Sequence, residues 1–337
     1  MGHVYRPAWW LPGPHLPTLW AKLLRRRPSI SPRRERWDTA DGDFVDLYRI
    51  DAPEGRRTPR LIVLHGLEGS PRSQYARGLL HQAARRGWAA DLLVFRSCGE
   101  EPNRLARSYH SGETSDLDFV VRRLTGEDPT RAVVLAGVSL GGNVLLKWLG
   151  ESAHDLPAQV CGAAAVSVPF DLARGARHLD TGFARVYRDH FLRSLRRKAH
   201  EKRTRFPELL SAAAIDRART FYEFDDAVTA PLHGFASADD YYSRSSSIQY
   251  LDRISIPTLL ISARDDPVLP AAVLDDVMTI TRENPALTVE FLPRGGHVGF
   301  VSGQVPWRAV YYAEWRVADF LQQCVGSLQP ARSASPV

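Results

Sequence analysis

The chain has 337 residues, of which 44% are hydrophobic, 24% charged and 9% aromatic, a balance that suits one large globular domain or a core with an inserted subdomain and excludes disorder and collagen-like repeats. Its formal charge is +6, but only four of the 44 basic residues are lysines, no nucleic-acid motif accompanies them, and nucleic acid is not an expected partner. Cys98, Cys161 and Cys324 stand far apart without paired spacing, which argues against a disulfide framework or a cysteine metal site.

In chain order, the first segment is rich in aromatic and aliphatic residues: Trp9, Trp10, Leu16, Trp20, Leu23 and Leu24, followed by Arg25, Arg26 and Arg27. Two readings stand for it, packing against the rest of the molecule or peripheral contact with a membrane interface. No apolar run reaches the length of a membrane span, and residues 1–7 lack the apolar core of a secretory signal, so the sequence reads as cytoplasmic, with peripheral contact at the inner membrane face compatible. Residues 42–50 alternate apolar and polar side chains and predict an antiparallel edge strand at the start of a sheet.

From residue 60 onward, short aliphatic runs at 61–65, 89–95, 132–138, 158–168, 257–263 and 287–292 alternate with helical patterns at 73–86, 113–124, 142–152, 271–282 and 306–324. Continuous apolar runs of this length are strands covered on both faces, and their alternation with helices predicts a mostly parallel central sheet flanked by helices. Residues 170–246 carry amphipathic helix and no strand, including Phe191, Leu192 and Leu195 beside the basic stretch that begins at Arg193. That segment is expected to form a helical cap over the carboxyl ends of the strands, where open α/β sheets place their ligands. The expected division is an N-terminal extension (1–40), a core (41–169 and 247–325), the inserted cap (170–246) and a disordered tail (326–337).

Gly137-Val138-Ser139-Leu140-Gly141 lies where a strand ends and a helix begins, the context of a nucleophile elbow. A serine hydroxyl needs a base and an orienting carboxylate. Asp265 and Asp266 follow the strand at 257–263, and His297 follows the strand at 287–292, giving the order Ser, Asp, His of α/β-hydrolases. Asp266 is the better candidate because α/β-hydrolases commonly carry the acid three residues after a small residue that ends the strand, here Ala263; Asp265 is then a solvated or loop-capping neighbour. The backbone N–H groups of Leu140, just after the serine, and of Leu67, in the loop His65-Gly66-Leu67-Glu68-Gly69, are the expected oxyanion donors.

Further segments carry a resemblance. Pro7-Ala8-Trp9-Trp10-Leu11-Pro12-Gly13, Glu101-Pro102-Asn103-Arg104, Ser108-Tyr109-His110-Ser111-Gly112-Glu113-Thr114, Phe224-Asp225-Asp226 and Thr229-Ala230-Pro231-Leu232-His233-Gly234-Phe235, with the His65–Gly69 loop, are similar to those of the YheT-like α/β-hydrolases, related to eukaryotic α/β-hydrolase-domain lipases. The resemblance runs from about residue 7 to 325 and implies Ser139 as nucleophile, Asp266 as acid and His297 as base, acting on carboxylic or lipid esters. It implies no metal or organic cofactor. Where the family often shows Arg-Gly-Cys, this chain has Arg96-Ser97-Cys98. Tyr109, His110 and Glu113 suit either a pocket lining or a capping loop ahead of a helix. The expected activity is therefore ester hydrolysis on short- to medium-chain acyl groups, with acyl transfer or thioester cleavage by the same residues, or a non-catalytic binding role, as alternatives.

Overall fold

The computed structural model describes residues 4–26, 28–53 and 58–328. Its centre is an eight-stranded sheet: β1 (Arg33–Asp38), β2 (Phe44–Ile50), β3 (Arg60–Leu64), β4 (Ala89–Val94), β5 (Val133–Val138), β6 (Val160–Val166), β7 (Thr258–Ala263) and β8 (Leu287–Leu292), in the order β1-β2-β4-β3-β5-β6-β7-β8. From β4 to β8 all neighbours run parallel, whereas β1 and β2 join antiparallel at one edge. Every residue of β3 to β7 is buried, which is why those strands read as unbroken apolar runs.

Alternate residues of each strand serve opposite layers. Leu61, Val63, Val134, Ala136, Leu259 and Ile261 face helices Gln74–Arg85 and Tyr312–Leu328, while Ile62, Leu64, Leu135, Ala165 and Leu260 face Ser115–Glu127, Leu140–Glu151 and Ala272–Glu283. Charges inside the sheet are paired: Asp91 on β4, fully buried, accepts from Arg49 Nε on β2 (2.8 Å) and Arg60 Nη1 on β3 (2.6 Å). Buried ions persist when paired in this way.

The sheet differs from the sequence reading at its edge. The segment 42–50 does form an antiparallel strand, but the edge position belongs to β1, Arg-Arg-Glu-Arg-Trp-Asp, which lacks apolar alternation and lies in the span assigned to the N-terminal extension. Its charges are satisfied across the ladder, as where Arg36 Nε meets Asp46 Oδ1 on β2 at 2.8 Å, and charged edges resist pairing with other chains. At the other end, the helix expected over 306–324 starts only at Tyr312. Residues 306–308 form a turn, and Val310–Tyr311 pairs with Val301–Ser302 in a small antiparallel ladder. The helix runs on to Leu328, so 326–328 belong to it; the remainder of the expected tail lies outside the described residues, as does Arg27.

Between β6 and β7 the chain is helical among the described residues, with Leu172–Leu179, Ala184–Arg205, Ala212–Arg217 and Ala238–Ser245 as its main elements. These helices bury small apolar clusters of their own, such as Leu192, Leu210, Ile215 and Phe224. Leu179 and Ala184 also pack on Val268, just beyond β7, which seats the helices over the strand ends.

Candidate active site

Ser139 joins β5 to helix Leu140–Glu151 with φ 54° and ψ −123°, a conformation that L residues rarely adopt. The turn closes because its neighbours lack side chains: a Cβ on Gly137 would lie 2.4 Å from the Gly141 carbonyl oxygen, and one on Gly141 would lie 2.5 Å from that of His65. The strain is held by a hydrogen bond from Ser139 N–H to Val166 O at 2.8 Å.

His297 Nε2 lies 3.1 Å from Ser139 Oγ, and His297 Nδ1 lies 2.8 Å from Asp266 Oδ2. A carboxylate only accepts, so Nδ1 carries the proton and Nε2 is free to accept from the serine. The other Asp266 oxygen accepts from the Val268 and Leu269 N–H groups at 2.8 and 3.2 Å, which fixes the carboxylate plane. Asp265 turns away and accepts from the Gly295 and Gly296 N–H groups at 2.8 and 2.9 Å, tying down the loop that carries His297. The structure thus brings Ser139, Asp266 and His297 together and gives Asp265 the loop role.

One support of this loop has no sequence signal. Thr18 Oγ, on the helix His15–Leu24, accepts the His297 N–H at 2.8 Å and donates to Pro14 O at 2.7 Å. Gly296, at φ 63°, makes room for it, since a Cβ there would meet Thr18 Oγ at 2.5 Å. The N-terminal segment therefore packs directly behind the candidate base.

Leu67 and Leu140 both line the cavity in front of Ser139. Leu140 opens its helix, so its N–H has no partner within it. The amides flanking Leu67 are occupied: Gly66 N–H donates to Tyr75 OH at 2.8 Å and Glu68 N–H to Tyr109 OH at 2.9 Å. Two tyrosines thus hold the loop on either side of Leu67. Tyr109 in turn donates to Glu68 Oε1 at 2.7 Å, which also accepts from Lys198 Nζ at 2.7 Å, and Ser194 bonds the other oxygen. Glu68, itself at φ 54°, so links the loop to helix Ala184–Arg205. Tyr75 and Lys198 carry no motif that would have marked them, and Glu68, although part of the His65–Gly69 motif, carries no signal for this link.

The cavity has a volume of about 1240 Å³ with its open mouth included. Phe191, Leu195, Phe224, Val228 and Leu232 from the helical insertion give it an apolar wall, and Tyr109 and His110 also line it. Glu113 instead accepts from the Ser115 N–H at 2.8 Å and caps the next helix, so the two readings of that motif divide between its residues. Ser97 sits at φ 66°, in the region that favours glycine, which accounts for the glycine often found there in the similar family. Here Asn103 Oδ1 holds its N–H at 2.7 Å.

Three histidines around the site, His65 and His110 buried and His233 half-buried, are neutral at pH 7. Burial pushes His65 down to about 4, where Nδ1 donates to Gly66 O and Nε2 accepts from the Phe95 N–H. Burial likewise pushes His110 to about 3 and His233 to about 4. Unfolded imidazole titrates near pH 6.5, so the unfolded chain binds more protons as the pH falls from about 6.5 to about 4. Burial raises Asp225 to about 6, which opposes this trend over the lower part of the window. Three histidines outweigh one aspartate. Urea unfolding is expected to show stability that is full above about pH 6.5 and falls by about 3 kcal/mol or more toward about pH 4; a flat profile there would contradict the assignment.

The chain is similar to known proteins over most of its length. The model of the alpha/beta hydrolase fold family matches residues 59–304. The YheT protein of Escherichia coli (strain K12) is 41% identical over 313 residues, covering 91% of this chain and 89% of that protein. The mouse protein Phospholipase ABHD3 is 27% identical over 318 residues, covering 91% of this chain and 76% of its own. Among solved structures, the Pyrococcus furiosus esterase Pf2001 is similar with a TM-score of 0.59 at 18% identity, covering 97% of this chain and 100% of that one. Among the described residues, no helix is long and apolar enough to cross a membrane. With its sheet order, its elbow and these similarities, the chain belongs to the α/β-hydrolase fold family, in the group that contains YheT.

Proposed function

We propose that the protein is a serine hydrolase of carboxylic esters, and the observation that carries this is the chain of contacts Ser139 Oγ, His297 Nε2, His297 Nδ1, Asp266 Oδ2 at 3.1 and 2.8 Å, opening on an apolar cavity. Ser139 Oγ attacks the ester carbonyl as His297 Nε2 takes its proton; the carbonyl oxygen becomes an oxyanion held by the Leu67 and Leu140 amides. Collapse breaks the C–O bond to the alcohol, which receives the proton from His297, and leaves an acyl-serine. Water, deprotonated by the same nitrogen, then attacks the acyl carbon and releases the acid and Ser139. Asp266 keeps the imidazole in the required tautomer and stabilises its charged form.

The apolar wall from the helical insertion suits an acyl chain rather than a charged acid, and the name of the mouse relative, a phospholipase, supports a lipid-like ester. Turnover of a series of p-nitrophenyl esters tests both parts. The expected result is hydrolysis with a rate maximum at short to medium chains, below about twelve carbons. A maximum beyond that length would overturn the chain-length assignment, and no turnover of any ester by folded protein would overturn the activity.

A further inference from the structure

Eleven large hydrophobic side chains are left exposed among the described residues, and nine of them fall in three segments, 4–24, 183–186 and 307–310. Trp9 and Trp307 are 79% and 81% exposed, and Leu23 and Leu24 69% and 65%. These segments touch one another. Trp9 Nε1 donates to Gln304 O at 2.9 Å, and Trp10 Nε1 to Gly303 O at 3.0 Å. His15 packs on Phe183 with ring centroids 4.3 Å apart, and Lys22 Nζ meets His190 Nε2 at 3.1 Å. Leu16, Leu23 and Leu24 recur at helical spacing, so one side of the helix His15–Leu24 is apolar and open.

The charged side chains of residues 4–26 and 303–310 are all basic, and Arg25 among them is paired with Glu314. Residues 4–26 contain Arg6, Lys22, Arg25 and Arg26 but no acidic residue, and residues 303–310 contain only Arg308. On the neighbouring helical insertion, Asp180 and Asp189 are both engaged by Arg188 (2.9 Å each), while Arg185 and Arg193 are exposed. Exposed tryptophans and leucines within a cationic rim have the composition of a surface that enters the headgroup layer of a bilayer. The face also borders the site: Tyr187, against His15, packs on the cluster of Leu179, Ala184 and Val268, of which Leu179 and Val268 line the cavity, and Thr18 holds His297.

We propose that this face docks the protein on an anionic phospholipid surface, with Trp9, Trp307, Leu16, Leu23 and Leu24 in the interface and Lys22, Arg26 and Arg308 against lipid phosphates. Docking places the flank of the cavity at the bilayer, from which an ester lipid enters. The proposal draws on the ester-hydrolase reading for its purpose, but binding is measured without turnover.

The test is co-sedimentation of the full chain with vesicles of phosphatidylglycerol and phosphatidylcholine, and of phosphatidylcholine alone. Wild-type protein is expected to pellet with the anionic vesicles, with its tryptophan emission shifted to the blue. The double variant Leu23→Ser/Trp307→Ser is expected to lose about tenfold in partitioning, and Lys22→Glu/Arg26→Glu at least about fivefold. Far-UV circular dichroism and hydrolysis of a soluble short-chain ester serve as controls for folding and are expected to stay at wild-type levels. Wild-type protein that remains in the supernatant with anionic vesicles, or variants that bind as wild type does, would overturn the proposal. Self-association of wild-type protein that the double variant abolishes, without vesicle binding, would assign the face to a second copy instead. Vesicle binding without hydrolysis of any ester would defeat the hydrolase reading and leave the docking surface standing.

Discussion

Alanine at Ser139 is expected to lower kcat for ester hydrolysis by about 10⁴- to 10⁶-fold, and alanine at His297 by a similar factor. Both numbers follow from one geometry. With Nε2 of His297 3.1 Å from Ser139 Oγ, the proton transfer and the nucleophilic attack are one event, and removing either partner forfeits the whole step. The double variant is therefore expected to be no slower than either single one, within about threefold. The Leu67 and Leu140 amides, the proposed oxyanion donors, survive in all three, so a residual rate above the uncatalysed reaction is also expected. Steady-state kinetics on a short-chain p-nitrophenyl ester measures each value. Losses that multiply in the double variant would mean that the two residues act separately. Neither alanine should unfold the protein, because Ser139 is held by its own backbone and His297 by the Thr18 and Asp265 contacts of its loop.

Adjacent aspartates are expected to respond very differently to asparagine. Asp266→Asn retains the shape and can still accept from Val268 and Leu269, but its amide then presents N–H to His297 Nδ1 or turns the imidazole into the tautomer whose Nε2 cannot accept. A loss of about 10⁴-fold in kcat with little change in KM is expected. Asp265→Asn keeps an oxygen to accept from Gly295 and Gly296, so its effect is expected to stay within about tenfold. Parallel kcat and KM measurements on the two variants decide the assignment. A larger loss at Asp265 than at Asp266 would reverse the roles.

The parts legible in the sequence are those whose cause is local. The buried strands appear as apolar runs because each is covered on both faces, and the elbow appears because a turn of that curvature admits only glycine at Gly137 and Gly141. Asp266 stands three residues past the end of β7, a spacing legible only by comparison with other α/β-hydrolases. What escaped depends on contacts between distant segments. β1 is held by charge pairs to β2 rather than by apolar alternation, so its six residues carry no strand pattern. Thr18 reaches His297 across 279 residues, and Lys198 reaches Glu68 across 130; neither spacing follows from a periodicity. Ser97 is an instructive intermediate. Its departure from the similar family's glycine was visible in the sequence, but the positive φ that explains the glycine was not.

The same division explains the N-terminal segment. Its tryptophans suit either packing or a lipid interface, and the two sides of the segment differ. Trp10 and Trp20 pack edge to face at 4.6 Å beside the ladder of Val301 and Tyr311, whereas Trp9 and Leu23 point outward. Only the tertiary contacts separate the two sets.

The proposed activity requires Ser139 to be an activated nucleophile. The most direct measurement is intact mass after treatment with a fluorophosphonate, which reacts with such serines without needing the natural substrate. One adduct per chain on the wild type, mapped to Ser139 and absent from Ser139→Ala and His297→Ala, is the predicted result. A folded wild-type chain that takes up no adduct, or one labelled equally in the His297→Ala variant, would contradict it.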